Sequence, residues 1–345
     1  MMLWFPFLLS LCYNSAVALL LPTGNDWYGV SSVAGTDPDR PAKVNQDRAF
    51  CKTEGGIVVM GVLDGHGREG HLVTDYFQER LPRRILQQLG ASAPLQEDDD
   101  GTFLRQLEQQ KRDIIDLGGA DPERDLKCKT ETGQALIDAF LLAQLDARRA
   151  DGIPTGRSGT TAVVCCISEH NDRLTITTAS AGDSRAFLLP LNTDGSPLEW
   201  LAPTTTTRDP SERARIERCQ GRIDASGNVF YGPVGIAMTR SLGNAVMLRA
   251  GVLPVPKITT WDAPLTPNST EFLAGCCTDG ISDVFRDADA LAAVVRQELD
   301  DDLSHVAHGI CSRARQAWLA DLPIETKVDD CTITLAKFPP RASQD

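Results

Sequence analysis

The residues of this chain best suited to chemistry are four aspartates, each set against an apolar run. Asp64 ends the stretch Gly56-Ile57-Val58-Val59-Met60-Gly61-Val62-Leu63 and is followed by Gly65-His66-Gly67. Asp279 ends Glu271-Phe272-Leu273-Ala274-Gly275-Cys276-Cys277-Thr278 and is followed by Gly280. Asp47 stands just before Ala49-Phe50, and Asp329 leads through Asp330 into Cys331-Thr332-Ile333-Thr334-Leu335-Ala336. A carboxylate at the end of a buried strand is held rigidly, and a neighbouring glycine lets backbone approach whatever it holds. Carboxylates brought together cannot all stay charged and unpaired, because like charges raise one another's pKa. Divalent cations relieve that cost, and hard oxygen ligands suit Mg²⁺ or Mn²⁺. Two such ions about 4 Å apart would clamp a phosphate and activate a water. Each aspartate alone has a plainer reading as a turn residue. The chemistry requires all four to converge.

The elements that would carry them are strands separated by helices. β-branched and aromatic content predicts a first strand over 27–34. Val73, Phe77, Leu81, Ile85 and Leu89 recur at fours and predict an amphipathic helix, which Pro82 would kink or split. Residues 91–135 are polar and irregular. They read as a surface insertion with room for a helix over 103–117 and a solvated acid run, Glu97-Asp98-Asp99-Asp100. Leu136, Phe140, Ala143 and Ala147 predict a helix over 135–150. Strands are predicted from the Ser158-Gly159 turn through 167, over 173–179 and over 186–189, and their short links predict an antiparallel meander. Residues 211–219 read as a helix capped by Ser211 with an exposed Arg-rich face. Two more helices are expected over 287–298 and 301–319.

Composition narrows the function class. The chain has 345 residues, 42% of them hydrophobic, enough for one large domain or two ordinary ones. Lys and Arg number 34 against 47 Asp and Glu, a net charge of -13 without basic blocks, which argues against nucleic acid or an anionic membrane as main partner. The 10 cysteines form no CxxC pair. Cys165-Cys166 and Cys276-Cys277 lie inside apolar runs and read as small buried hydrophobes, so neither zinc nor a disulfide framework is expected. Residues 1–25 begin with a strongly apolar run over 1–21, broken by Asn14 and Ser15, that contains Ala16-Val17-Ala18, the small-residue pattern of a cleavage site. No Lys or Arg precedes Arg40, so the basic start of a signal peptide is missing. A targeting leader is expected there, with a poorly packed tail as the alternative. Membrane association is expected only if the leader is retained; otherwise a soluble cytoplasmic or organellar domain, monomeric by default, is expected.

The order of these stretches carries a resemblance. Tyr28-Gly29-Val30-Ser31-Ser32, Asn45-Gln46-Asp47, Val62-Leu63-Asp64-Gly65-His66-Gly67, Ser158-Gly159-Thr160-Thr161-Ala162, Ala181-Gly182-Asp183-Ser184-Arg185, Thr239-Arg240-Ser241-Leu242-Gly243, Thr278-Asp279-Gly280-Ile281-Ser282-Asp283 and Val328-Asp329-Asp330 follow one another over 28–338. In this the chain resembles the type 2C (PPM) family of metal-dependent protein serine/threonine phosphatases. The resemblance implies an α+β fold over 26–340: a four-layer α-β-β-α sandwich, two antiparallel sheets flanked by helix pairs. It implies two Mg²⁺ or Mn²⁺ ions per site, with Asp64 bridging both, the Gly65 carbonyl on one, Asp279 and Asp329 on the other, and Asp47 acting directly or through water. It implies hydrolysis of phosphoserine and phosphothreonine in phosphoprotein substrates by a metal-bridging water, with His66 as general acid. Relatives often carry an arginine for the substrate phosphate; Lys43 and Arg40 are the nearest cations here. They often carry Glu where this chain has Gln46, Asp where it has Asn244, Trp where it has Ser282 and Asn where it has Asp330. None of these changes removes an implied metal ligand. A catalytically weak binding module of the same fold is the alternative, and such a module usually lacks one of Asp64, Asp279 and Asp329.

Overall fold

Val58, Met60 and Val62 alternate along one strand with Val59 and Leu63, and the two sets are buried against different partners. Period-two alternation with both faces apolar requires a strand covered on both sides. That requirement sets the layering. The computed structural model describes residues 27–39, 43–93, 101–170, 172–191, 196–264, 270–321 and 327–338. One five-stranded antiparallel sheet has the order Lys257–Pro264, Arg173–Ala181, Ala162–His170, Ile57–Leu63, Arg48–Glu54. The other has the order Tyr28–Val33, Cys331–Phe338, Phe272–Cys277, Arg185–Pro190, Glu199–Trp200.

Met60, Val62, Cys165, Ile167 and Ile176 of the first sheet pack on Leu188, Ala274, Cys276 and Ala336 of the second. The first sheet's outer face (Val59, Leu63, Val164, Cys166) meets Val73, Phe77 and Ile85 of helix Gly70–Gln88 and Leu136 and Phe140 of helix Glu131–Arg149. The second sheet's outer face (Leu273, Cys277, Ile333, Leu335) meets helices Ala288–Glu298 and Leu303–Asp321 through Leu291, Val295, Val306 and Ile310. The chain is thus an α+β protein with helices outside two stacked sheets. Each large apolar side chain in these cores contributes about 1.5–3 kcal/mol by leaving water. The adjacent cysteines divide as expected: Cys165 and Cys276 meet between the sheets, Sγ to Sγ 3.5 Å, while Cys166 and Cys277 face helices. Among the described residues no helix is long and apolar enough to cross a membrane.

Four local expectations are corrected. Pro82 neither ends nor splits its helix, which runs unbroken over 19 residues, because Phe77 and Ile85 anchor both halves to one sheet. The meander stops after two strands. Arg173–Ala181 pairs with Ala162–His170, but the chain then crosses to the second sheet and Arg185–Pro190 pairs with Phe272–Cys277. Gly182 makes the crossing with φ +117, and a Cβ there would lie 2.6 Å from Thr161 Cβ. Helix Pro210–Arg218 is capped by Asp209, whose Oδ1 accepts from Ser211 N–H at 2.8 Å, with Pro210 in the first turn. Arg215 on that helix is buried rather than exposed. The segment 91–135 carries helices Thr102–Asp116 and Pro122–Asp125 and the start of Glu131–Arg149; its acid run, like residues 1–25, lies outside the described residues.

One buried ionic cluster ties that segment to the loops over the sheet ends. Glu212 accepts from Arg215 Nη2 at 2.7 Å, Arg240 Nη2 at 2.7 Å and Thr239 Oγ1 at 2.7 Å, and Arg240 reaches Asp125 at 2.7 Å. Burial alone would raise the Glu212 carboxyl, but the Arg240 and Arg215 guanidinia hold it well below the usual carboxylate range. Removing one partner of a buried ion pair strands the others. Glu212→Ala should lower unfolding free energy by roughly 3–5 kcal/mol in urea titration, and a loss below about 1 kcal/mol would show that the cluster is dispensable.

Candidate metal centre

Asp64, Asp183 and Asp279 each place a carboxylate oxygen so that the three lie within 4.8 Å of one another. They line a cleft of about 1060 Å³ together with Gly65, His66 and Asp329. Strand exits from both sheets meet there.

The signature stretches are the hydrogen-bonded frame of this cluster. Asp64 N–H donates to Thr161 Oγ1 at 3.1 Å, and the Asp64 carbonyl accepts from Thr161 N–H at 2.9 Å and Thr160 Oγ1 at 3.1 Å. Thr161 Oγ1 also bonds Ser184 Oγ at 2.7 Å, which ties the Asp64 exit to the residue after Asp183. Gly65 N–H donates to the Gln46 carbonyl at 3.2 Å, and a Cβ on Gly65 would lie 2.5 Å from that oxygen, so the position admits only glycine. Asp279 opens the short helix Asp279–Ser282, and Trp318 Nε1–H pins it by donating to the Gly280 carbonyl at 2.7 Å.

The other sequence-predicted residues fall at different depths. Asp329 lines the cleft, with Oδ2 3.1 Å from Lys327 Nζ and Oδ1 3.7 Å from Lys43 Nζ. Asp47 is buried behind the cleft wall and accepts from Thr278 Oγ1 at 2.8 Å. Lys43 lines the cleft but is engaged: its Nζ donates to Asp330 Oδ1 at 2.5 Å. Arg40 lies outside the described residues. His66 Nε2 is 2.9 Å from Asn244 Oδ1. A Cβ on Gly159 would sit 1.6 Å from that same oxygen, so Gly159 is what lets Asn244 reach the imidazole.

Two residues escaped the sequence reading. Asp183 looked like part of a tight turn, yet it follows the run Ile176 to Ala181 as Asp64 follows its own strand, and that shared pattern could have found it. Asp330 organises the incoming loop: it accepts from Gly35 N–H at 2.7 Å and Gln46 N–H at 2.9 Å as well as from Lys43. Only the folded chain brings those donors together.

Crowding governs the electrostatics. Burial, then the charges of Asp279, Asp47 and Asp329, push the Asp64 carboxyl well above the usual range. Burial and Asp279 raise Asp183 to about 7, and burial and Asp329 raise Asp279 to about 6. Asp47 is raised by burial and by Asp330. Burial lowers His66 to about 4 against the Asn244 hydrogen bond, which favours its charged form. Converging all-oxygen donors whose charge is resisted by their surroundings fit a hard divalent cation.

A family model for protein phosphatase 2C matches residues 58–321. Probable protein phosphatase 2C 48 of Oryza sativa subsp. japonica is 30% identical over 308 residues, 81% of this chain and 78% of that protein. Probable protein phosphatase 2C 12 of the same plant is 29% identical over 329 residues, covering 88% and 80%. The crystal structure of serine-threonine phosphatase 2C from Toxoplasma gondii superposes with a TM-score of 0.65 over 90% of this chain and 94% of that one; at 15% identity the likeness is one of fold. These matches define the class as a metal-dependent protein phosphatase, and the carboxylates gathered at the sheet ends fit it. The chain belongs to the protein phosphatase 2C family.

The raised carboxyls give stability a sign against pH. Their folded pKa lies above the unfolded value, so the folded state holds protons that the unfolded chain releases. The associated stability is full below about pH 4 and is lost as pH rises through about 6–7. In chelator, Asp183→Asn should therefore stabilise the protein near pH 8 and do little near pH 5, read by thermal melting. Equal effects at both pH values would contradict the raised pKa. In wild type, Mn²⁺ at about 100 times Kd should add roughly 2.7 kcal/mol.

Proposed function

We propose that this protein is an active phosphatase that hydrolyses phosphoserine and phosphothreonine in proteins and requires two Mg²⁺ or Mn²⁺ ions. The observation that carries the proposal is the convergence of Asp64, Asp183 and Asp279 in a cleft that also holds His66, within a chain of this family. Asp64, Asp279, Asp183, Asp329 and the Gly65 carbonyl are the groups that would hold the ions, with Asp47 acting from behind through water. Bound there, the ions supply Lewis acidity and lower the pKa of a ligating water.

The chain's own residues do the rest. The strand-end carboxylates are preset by their hydrogen-bonded frame. Asn244 Oδ1 holds the imidazole of His66 through Nε2. Burial keeps that ring neutral at rest; a phosphate dianion in the cleft raises it, and the other ring nitrogen, Nδ1, which has no hydrogen-bond partner, then carries the proton given to the leaving serine or threonine oxygen. The reading as a weak binding module loses ground because none of Asp64, Asp279 and Asp329 is missing.

A phosphothreonine peptide should be hydrolysed with Mn²⁺ and left intact in chelator; turnover indifferent to metal removal would sink the mechanism. Asp64→Ala and Asp279→Ala should each abolish turnover, and retained activity would mean the ligands are misassigned. Asn244→Ala should cost on the order of 10²-fold in kcat on the phosphothreonine peptide and far less on an aryl phosphate, whose leaving group needs no proton. Equal losses on both would assign Asn244 to the fold alone.

A further inference from the structure

Four lysines and arginines line the cleft: Lys43, Arg68, Arg157 and Lys327. Two are spoken for, Lys43 by Asp330 at 2.5 Å and Lys327 by Asp329 at 3.1 Å. Arg68 and Arg157 are exposed, and among the described residues neither guanidinium has an ion-pair or hydrogen-bond partner.

Their placement comes from a short antiparallel ladder in which Gly65 faces Thr160 and His66 faces Gly159. Both arginines lie two residues outside that ladder, Arg68 after His66 and Arg157 before Gly159. The segments stay in contact there: a Cβ on Gly67 would lie 2.9 Å from the Arg157 carbonyl oxygen, and Glu69 N–H donates to Ser158 Oγ at 3.1 Å. Helix Gly70–Gln88 begins at the same point with no side-chain cap, so its positive end adds to the field. On a chain of net charge -13, with Glu69 the adjoining acid, these are two arginines that line the cleft and are not ion-paired among the described residues. Two like charges on adjoining segments repel, and an anion bound by both removes the repulsion. Paired guanidinium forks match carboxylate and phosphate oxygens in particular.

We propose that Arg68 and Arg157 form a substrate-recognition site for an anionic residue of the phosphoprotein, an aspartate, a glutamate or a second phosphorylated side chain, flanking the residue that is dephosphorylated. The site rests on the phosphatase reading for its substrate. The two arginines line the same cleft as the carboxylates and His66. Asp64 belongs to the metal-holding cluster, His66 serves the leaving oxygen, and Arg68 follows two residues later in the chain.

Labelled peptides of one sequence, flanked by aspartate, by a second phosphothreonine, by serine or by lysine, test the site in two ways. In chelator, fluorescence anisotropy reads binding without catalysis. Wild type should bind the aspartate- and phosphothreonine-flanked peptides roughly tenfold more tightly than the serine-flanked one, with the difference shrinking in high salt. With Mn²⁺, KM should follow the same order at similar kcat. Arg68→Ala/Arg157→Ala should erase the preference and leave the serine-flanked peptide unchanged. Arg68→Glu/Arg157→Glu should turn it toward lysine flanks, which a merely structural role would not do. Equal wild-type affinity for acidic and serine-flanked peptides would overturn the site. So would a loss shared by every substrate, because the arginines would then serve the reacting phosphate. Should no peptide be hydrolysed at all, the phosphatase reading fails while the anisotropy series still decides the arginine pair.

Discussion

Mutual repulsion among carboxylates is the constraint on which the rest of this structure depends. Asp64, Asp183 and Asp279 bring oxygens within 4.8 Å, with Asp329 beside them and Asp47 buried behind. Nothing in their own charge draws them together. The sandwich forces them into place, because each sits where a strand or its turn leaves a packed sheet. The three apolar cores provide the free energy that holds like charges at this distance, and the cost appears as carboxyls that keep their protons up to about 6 or 7.

The frame around the cluster follows from that load. Thr161 and Ser184 bind the Asp64 and Asp183 segments to each other, Trp318 clamps the Asp279 turn, and Asp330 draws Gly35, Lys43 and Gln46 onto the last strand. Lys43 is thereby ion-paired within the cleft. The cations left over, Arg68 and Arg157, line the same cleft. The cleft thus carries both the crowded carboxylates and two exposed arginines.

Much of this was legible in the sequence because strand-end aspartates are local patterns. Asp64 and Asp279 declare themselves by the apolar runs before them, and the order of short motifs pointed to the family that the comparisons establish. What was not legible depends on tertiary geometry. The crossing at Gly182 that separates two sheets cannot be told from a hairpin turn by link length, so Asp183 went unrecognised as a cluster member. Burial of Arg215 reads as exposure until Glu212 and Arg240 are placed around it. That Lys43, a candidate phosphate cation, is paired with Asp330 from the other end of the chain shows only once the chain is folded.

The central claim is that these carboxylates are kept from full ionisation until divalent cations arrive. Calorimetric titration of Mn²⁺ into the metal-free protein, repeated in buffers of different ionisation enthalpy, counts the protons released on binding. Release is predicted near pH 6, where Asp183 and Asp279 still hold protons, diminishing toward about pH 9. Binding without proton release across that range would contradict the account.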